Sequence, residues 1–237
     1  MKQDILTNIR QDLIRLSDPN VGKTTQRYFK EQVKVYGVST PDVRKIGERY
    51  FNSISQSGKI EIFSLCEELL KSDYMEEAII AFDWTYRLRK EYESGDFAIF
   101  ERWLKKYVNN WAKCDILCNH TFGAFIEKYP NYAEKLKQRA KSRNRWLRRA
   151  SAVSLIIPAK KGQFLSDILQ IADILLQDKD DLVQKGCGWM LKAASQAHLQ
   201  EVFDYIMRNK KVMPRTTLRY AIEKMPDELK HKAMSKN

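Results

Sequence analysis

Four stretches of this chain overlay on one another: DYMEEAIIAF (73–82), NWAKCDILCN (110–119), RWLRRASAVS (145–154) and DLVQKGCGWM (181–190). They return roughly every 36 residues, the period of a two-helix repeat unit. No other feature of the sequence restricts the fold as much. A unit of this size cannot bury its apolar face alone, so neighbours must stack and each unit touches chiefly the next. In the overlay Ala78, Asp115, Ala150 and Gly186 share one column. Tyr74, Trp111, Trp146 and Leu182 share another. The first column suits close packing of helices, except for its aspartate. The second is bulky and apolar. PRTTLRYAIEKMP (214–226) reads as a last, partial unit.

The periodicity between these stretches is helical. DILTNIRQDLIRLS, FSLCEELLKS, FAIFERWLKKYV and FLSDILQIADILLQD all place apolar residues at i, i+3, i+4 and i+7. No stretch alternates as a strand would, and no Asn-Gly hairpin signal occurs. Pro41 and Pro214 are expected in first turns, Pro130 follows a helix end, and Ser39 or Thr40 caps the helix after GVST. The expectation is an all-α protein, an α–α superhelix (solenoid) of HEAT-like helical repeats with a concave basic face. Breaks between helices are short, so residues 1–237 are read as a single HEAT-like repeat domain.

Charge narrows the partner. The formal net charge is +12. That favours a polyanion, with nucleic acid ahead of an acidic membrane surface. Positive charge concentrates in Lys135, Lys137, Arg139, Lys141, Arg143, Arg145, Arg148 and Arg149, with Glu134 the nearest acid in sequence. Like charges this dense call for an anion, and phosphate is the natural one. Four cysteines are too few for a disulfide scaffold, the N-terminus has no signal-peptide core, and no run is apolar enough to span a bilayer. A cytoplasmic protein with reduced thiols is expected, nucleoid-associated in a prokaryote and without a membrane partner.

The aspartate in the small-residue column is the first candidate for chemistry. Asp115 lies on one side of a helix with Trp111, Cys118 and Phe122, and a carboxylate there is costly to desolvate. It either caps or salt-bridges a neighbouring helix, or it projects into a binding face. Arg149 shares a helix side with Trp146, Ala150 and Val153, unlike Arg148. Arginine grips phosphate with two parallel hydrogen bonds. Trp111 and Trp189 either pack in the core or stack on a base, sugar or cationic ring. Gly186 and Gly188 precede Trp189 in a helical pattern, where each costs about 1 kcal/mol. A close approach by another backbone is therefore expected there. Cys114 and Cys118 are one turn apart, but His120 points elsewhere and no fourth ligand is evident, so no metal is expected. No P-loop, GxGxxG or Ser-His-Asp pattern appears.

Five segments in order resemble the AlkD-type DNA alkylation repair glycosylases, a family built of HEAT-like repeats. They are TQRYFKEQVKVYGVSTPDVRKI (25–46), NNWAKCDILCNHTFG (109–123), NRWLRRASAVSLI (144–156), VQKGCGWMLK (183–192) and MPRTTLRYAIEKMP (213–226). Residues 47–108 match less clearly. The resemblance implies excision of N3- and N7-alkylated purines from double-stranded DNA by a monomer without a cofactor. It implies that Asp115, four residues after Trp111, is the catalytic aspartate. Arg149 matches the conserved arginine after the WLxR element, and Trp189 the second active-site tryptophan. Arg148, Lys185, Lys192 and Tyr28 lie in the same motifs and are assigned to DNA contact.

A purine alkylated at N3 or N7 is cationic and leaves without a general acid. As its bond to C1′ breaks the sugar turns oxocarbenium-like, and a carboxylate nearby stabilises it and orients water. Asp115 would take that role. The alternatives are a non-catalytic HEAT-repeat protein that binds damaged, bent or branched DNA, and a protein-interaction scaffold whose charge meets an acidic partner.

Overall fold

The computed structural model describes residues 2–235. Its regular elements are all helical, and no strand occurs among the described residues. The chain divides into two compact units, residues 1–116 and 117–237. The first holds α1 (Lys2–Arg15), α2 (Pro19–Gln26), α3 (Thr40–Ile54), α4 (Lys59–Lys71), α5 (Met75–Arg87), α6 (Asp96–Tyr107) and α7 (Trp111–Ile116). The second opens with a π-helical turn, Leu117–Phe122. It continues with α8 (Gly123–Lys128), α9 (Ala133–Ala140), α10 (Arg145–Val153), α11 (Ile156–Lys160) and α12 (Leu165–Ile174). It ends with α13 (Asp181–Ala194), α14 (Leu199–Asn209), α15 (Arg215–Ile222) and α16 (Asp227–Met234).

The repeat read from the sequence is present. Helices α5, α7, α10, α13 and α15 begin at residues 75, 111, 145, 181 and 215, one period apart each time. Long-range side-chain bonds keep the same interval. The Trp84 indole N–H donates to the Gly47 carbonyl 37 residues away, Asn109 to Asp73 over 36, and Arg145 to Asp180 over 35. Lys161 reaches Glu127 over 34 residues, and His198 meets the Gly162 carbonyl over 36. Each unit is thus stitched repeat to adjoining repeat, as in a linear array.

Helix starts follow their caps. The Ser39 hydroxyl accepts from the Asp42 N–H at the head of α3, with Pro41 in the first turn, so Ser39 rather than Thr40 is the cap. Asn110 accepts from Lys113 N–H, Asn144 from Trp146 N–H, and Asp180 from Leu182 and Val183 N–H. Pro214 is itself the residue before α15 and not part of its first turn. Pro130 opens a short 3-10 turn after α8 has ended.

The two glycines before Trp189 do separate jobs. Gly186 leaves room for the Arg149 side chain, whose Cγ would be 3.3 Å from an added Cβ. At Gly188 a Cβ would lie 2.5 Å from Tyr220 Cβ and 2.7 Å from the Thr217 carbonyl oxygen, so α13 and α15 touch backbone to backbone. Gly188→Ala is expected to cost about 1–3 kcal/mol by overpacking, a fall in melting midpoint of roughly 3–10 °C for a chain this size. Gly95→Ala, which meets nothing within 4 Å, should change stability by less than about 0.5 kcal/mol. Thermal unfolding of the two variants checks the contrast.

Candidate functional site

The sequence-derived candidates divide between the units. Tyr28, Trp111 and Asp115 belong to the first; Arg148, Arg149, Lys185, Trp189 and Lys192 belong to the second.

In the first unit α7 is a short platform. Its buried side holds Lys113 and Cys114. Lys113 is only 2% exposed, and its ammonium donates to the Asp73 carbonyl at 3.0 Å and to the Asp73 carboxylate. Asp73 has φ 66°, a left-handed corner before α5, and Asn109 also donates to its carboxylate. A buried lysine needs such a partner, because an unpaired ammonium in a dry interior is costly. This anchor fixes the start of α7 and leaves Trp111 and Asp115 half-buried, one turn apart. In the small-residue column Ala78, Ala150 and Gly186 are all buried, so Asp115 is the exception in exposure as well as in chemistry.

An irregular segment, 27–39, lies against α7 and α5. The Trp111 indole N–H donates to the Tyr28 carbonyl at 3.3 Å, and the Phe29 ring stacks on the indole at 5.2 Å and 20°. Tyr28 itself is 71% exposed. The structure therefore brings Tyr28 to Trp111, by its backbone. Farther along, Tyr36 stacks on Tyr74 at 3.9 Å. Two buried carboxylates of α5 hold this segment. Glu76 accepts from the backbone N–H groups of Tyr36, Gly37 and Val38, at 3.1, 2.9 and 3.2 Å. Glu77 is fully buried and accepts from the Arg10 guanidinium at 3.0 Å and from the Tyr36 hydroxyl at 2.7 Å. Burial, and then the bond to Glu77, push the Tyr36 phenol well above its ordinary range. Neither acid stood out in the sequence, since carboxylates are common in a helix's first turn.

In the second unit Lys185, Trp189 and Lys192 share one face of α13, at i, i+4 and i+7. Trp189 is half-buried. Lys185 is paired with Asp181 at 2.8 Å, a bond that raises the lysine's pKa. Lys192 is paired with Glu223 at 2.8 Å and lies 5.8 Å over the Tyr220 ring. That pairing lowers the Glu223 carboxyl. Arg149 is buried, and its guanidinium donates to the Leu182 carbonyl at the head of α13.

The basic run 135–149 corrects the sequence reading. It does not wait as a whole for an outside anion, because the next repeat supplies acids. Lys137 pairs with Asp167 at 2.8 Å, Arg145 with Asp180 at 2.8 Å, and Arg148 with Asp178 through two nitrogens at 2.6 and 3.3 Å. Arg139 is buried against the Phe122 ring at 4.2 Å. Lys135, Lys141 and Arg143 remain exposed. Arg148 is thus a partly neutralised cation, whereas Arg149, like Arg139, is buried.

A family model described as DNA alkylation repair enzyme matches residues 9–225. No curated protein matches the chain. One solved structure, "Predicted DNA alkylation repair enzyme from Enterococcus faecalis", superposes with a TM-score of 0.80 over 89% of this chain and 97% of its own. The two share 15% identity, so this likeness carries the fold, an all-α helical repeat. With nearly its whole length spanned by the family model, the chain belongs to the DNA alkylation repair enzymes.

Proposed function

We propose that this protein is a DNA glycosylase that hydrolyses the N-glycosidic bond of N3- and N7-alkylated purines in duplex DNA. The observation that carries this reading is Asp115: a half-buried carboxylate in a column of buried small residues, one turn from a half-buried indole that its neighbours hold in place. A carboxylate so placed suits a substrate that becomes more positive as it reacts. The alkylated base is cationic and departs without a proton. Charge then develops at C1′, where a carboxylate stabilises it and orients the attacking water. The indole face of Trp111 attracts the cationic base or packs on sugar, and Trp189 in the second unit is assigned the same kind of contact. Lys185 and Lys192 flank Trp189 and contribute phosphate contacts, with Arg148, Arg149 and Tyr28 as further duplex-binding residues.

The test is base release from duplexes carrying N7-methylguanine or N3-methyladenine, beside one carrying a neutral lesion such as uracil. Release of both cationic bases above the spontaneous rate, with uracil retained, is the expected result. Retention of all three overturns the reading and leaves a protein that only binds DNA.

A further inference from the structure

We propose that Gln26 and Phe29 are positioning residues that hold the Trp111 indole as a one-sided platform for a ligand ring. The proposal rests on the glycosylase reading for what the platform binds, but its geometry stands within the first unit alone. Gln26 is the last residue of α2, and its side-chain amide works as a clasp. Its oxygen accepts from Val33 N–H at 3.1 Å, and its nitrogen donates to the Glu31 carbonyl at 2.9 Å. The backbone between is tightly wound, with Tyr28 N–H donating to the Thr25 carbonyl and Phe29 N–H to the Gln26 carbonyl. The clasp therefore closes residues 26–33 into a compact loop whose two working groups are the Tyr28 carbonyl and the Phe29 ring.

Both groups act on Trp111. The carbonyl fixes the indole edge by accepting its N–H, and the Phe29 ring covers one indole face. A ligand ring is then confined to the opposite face, and the indole does not have to be ordered when the ligand arrives. Removing that ordering cost is what preorganisation contributes to binding. Donation of the N–H to a carbonyl also enriches the ring in electron density, which strengthens its attraction for a cation. Neither Gln26 nor Phe29 need touch the substrate for this.

Two variants and two readouts test the proposal. In Gln26→Ala and Phe29→Leu, the emission that Trp111 contributes, taken as the difference from Trp111→Phe, should become more open to acrylamide quenching. KM for release of N7-methylguanine should rise roughly three- to tenfold, the worth of an aromatic pair, while kcat changes by less than about twofold. Phe29→Tyr keeps a ring in place and should restore both values. An unchanged Trp111 emission in both variants overturns the proposal, as does an unchanged KM with active enzyme. If the wild type releases no base, the glycosylase reading is lost. Emission and the dissociation constant for the lesion-bearing duplex then decide the positioning role.

Discussion

On the proposed glycosylase reading, Asp115→Asn is expected to abolish most base release, lowering kcat for N7-methylguanine by roughly 100- to 1,000-fold, the usual worth of one group aimed at developing charge. Asparagine has nearly the same shape as aspartate, so packing around α7 is preserved and the change is one of charge. Retained melting temperature is therefore part of the expected result. Duplex affinity should hold or rise, because a negative charge has been removed from the surface proposed to meet phosphate. That combination separates a chemical role from an architectural one. An aspartate that merely braced a helix would lose stability along with activity. Equal release by wild type and variant, both above the spontaneous rate, would remove Asp115 from the mechanism.

The largest effect on stability is expected at Glu76. Its carboxylate serves three consecutive backbone N–H groups of the 36–38 stretch, two of them in wholly buried bonds. Glu76→Ala leaves these donors without an acceptor and opens a void beside them. Each stranded donor costs about 1–3 kcal/mol. For three donors the total of about 3–9 kcal/mol is a fall of more than roughly 6 °C in the melting midpoint. Glutamine is not a clean rescue, since its amide would turn a donor towards one of the N–H groups. Glu68→Ala is the control: an exposed i,i+3 partner of Lys71, worth less than about 1 kcal/mol. A melting difference of under 2 °C between the two variants would show that another group replaces the carboxylate.

Much of the architecture was readable from residue pattern. The 36-residue echo located α5, α7, α10 and α13, and Gly188, one of the two glycines before Trp189, announced the close crossing of α15. The candidate residues on helices were also readable, because i, i+3, i+4 spacing places side chains on faces. Three things were hidden, each for the same reason: a partner far along the chain. Asp167, Asp178 and Asp180 temper the basic run from one repeat away. Lys113, which no local pattern singles out, is buried on Asp73. The segment 27–39 carries no periodicity at all, and its hold on Trp111 comes from a carbonyl, which every residue type possesses.

That hold has a bearing on the order in which the molecule assembles. Most stitches in the protein join residues one repeat apart, but the bond from Trp111 to Tyr28 encloses 83 residues and that from Arg10 to Glu77 encloses 67. Closing so long a loop in a loose chain costs about 0.6–0.8 kcal/mol more than closing one of a single repeat. The cost disappears once the intervening helices have docked and shortened the path. The indole is accordingly expected to be set in place late, after the scaffold beneath it.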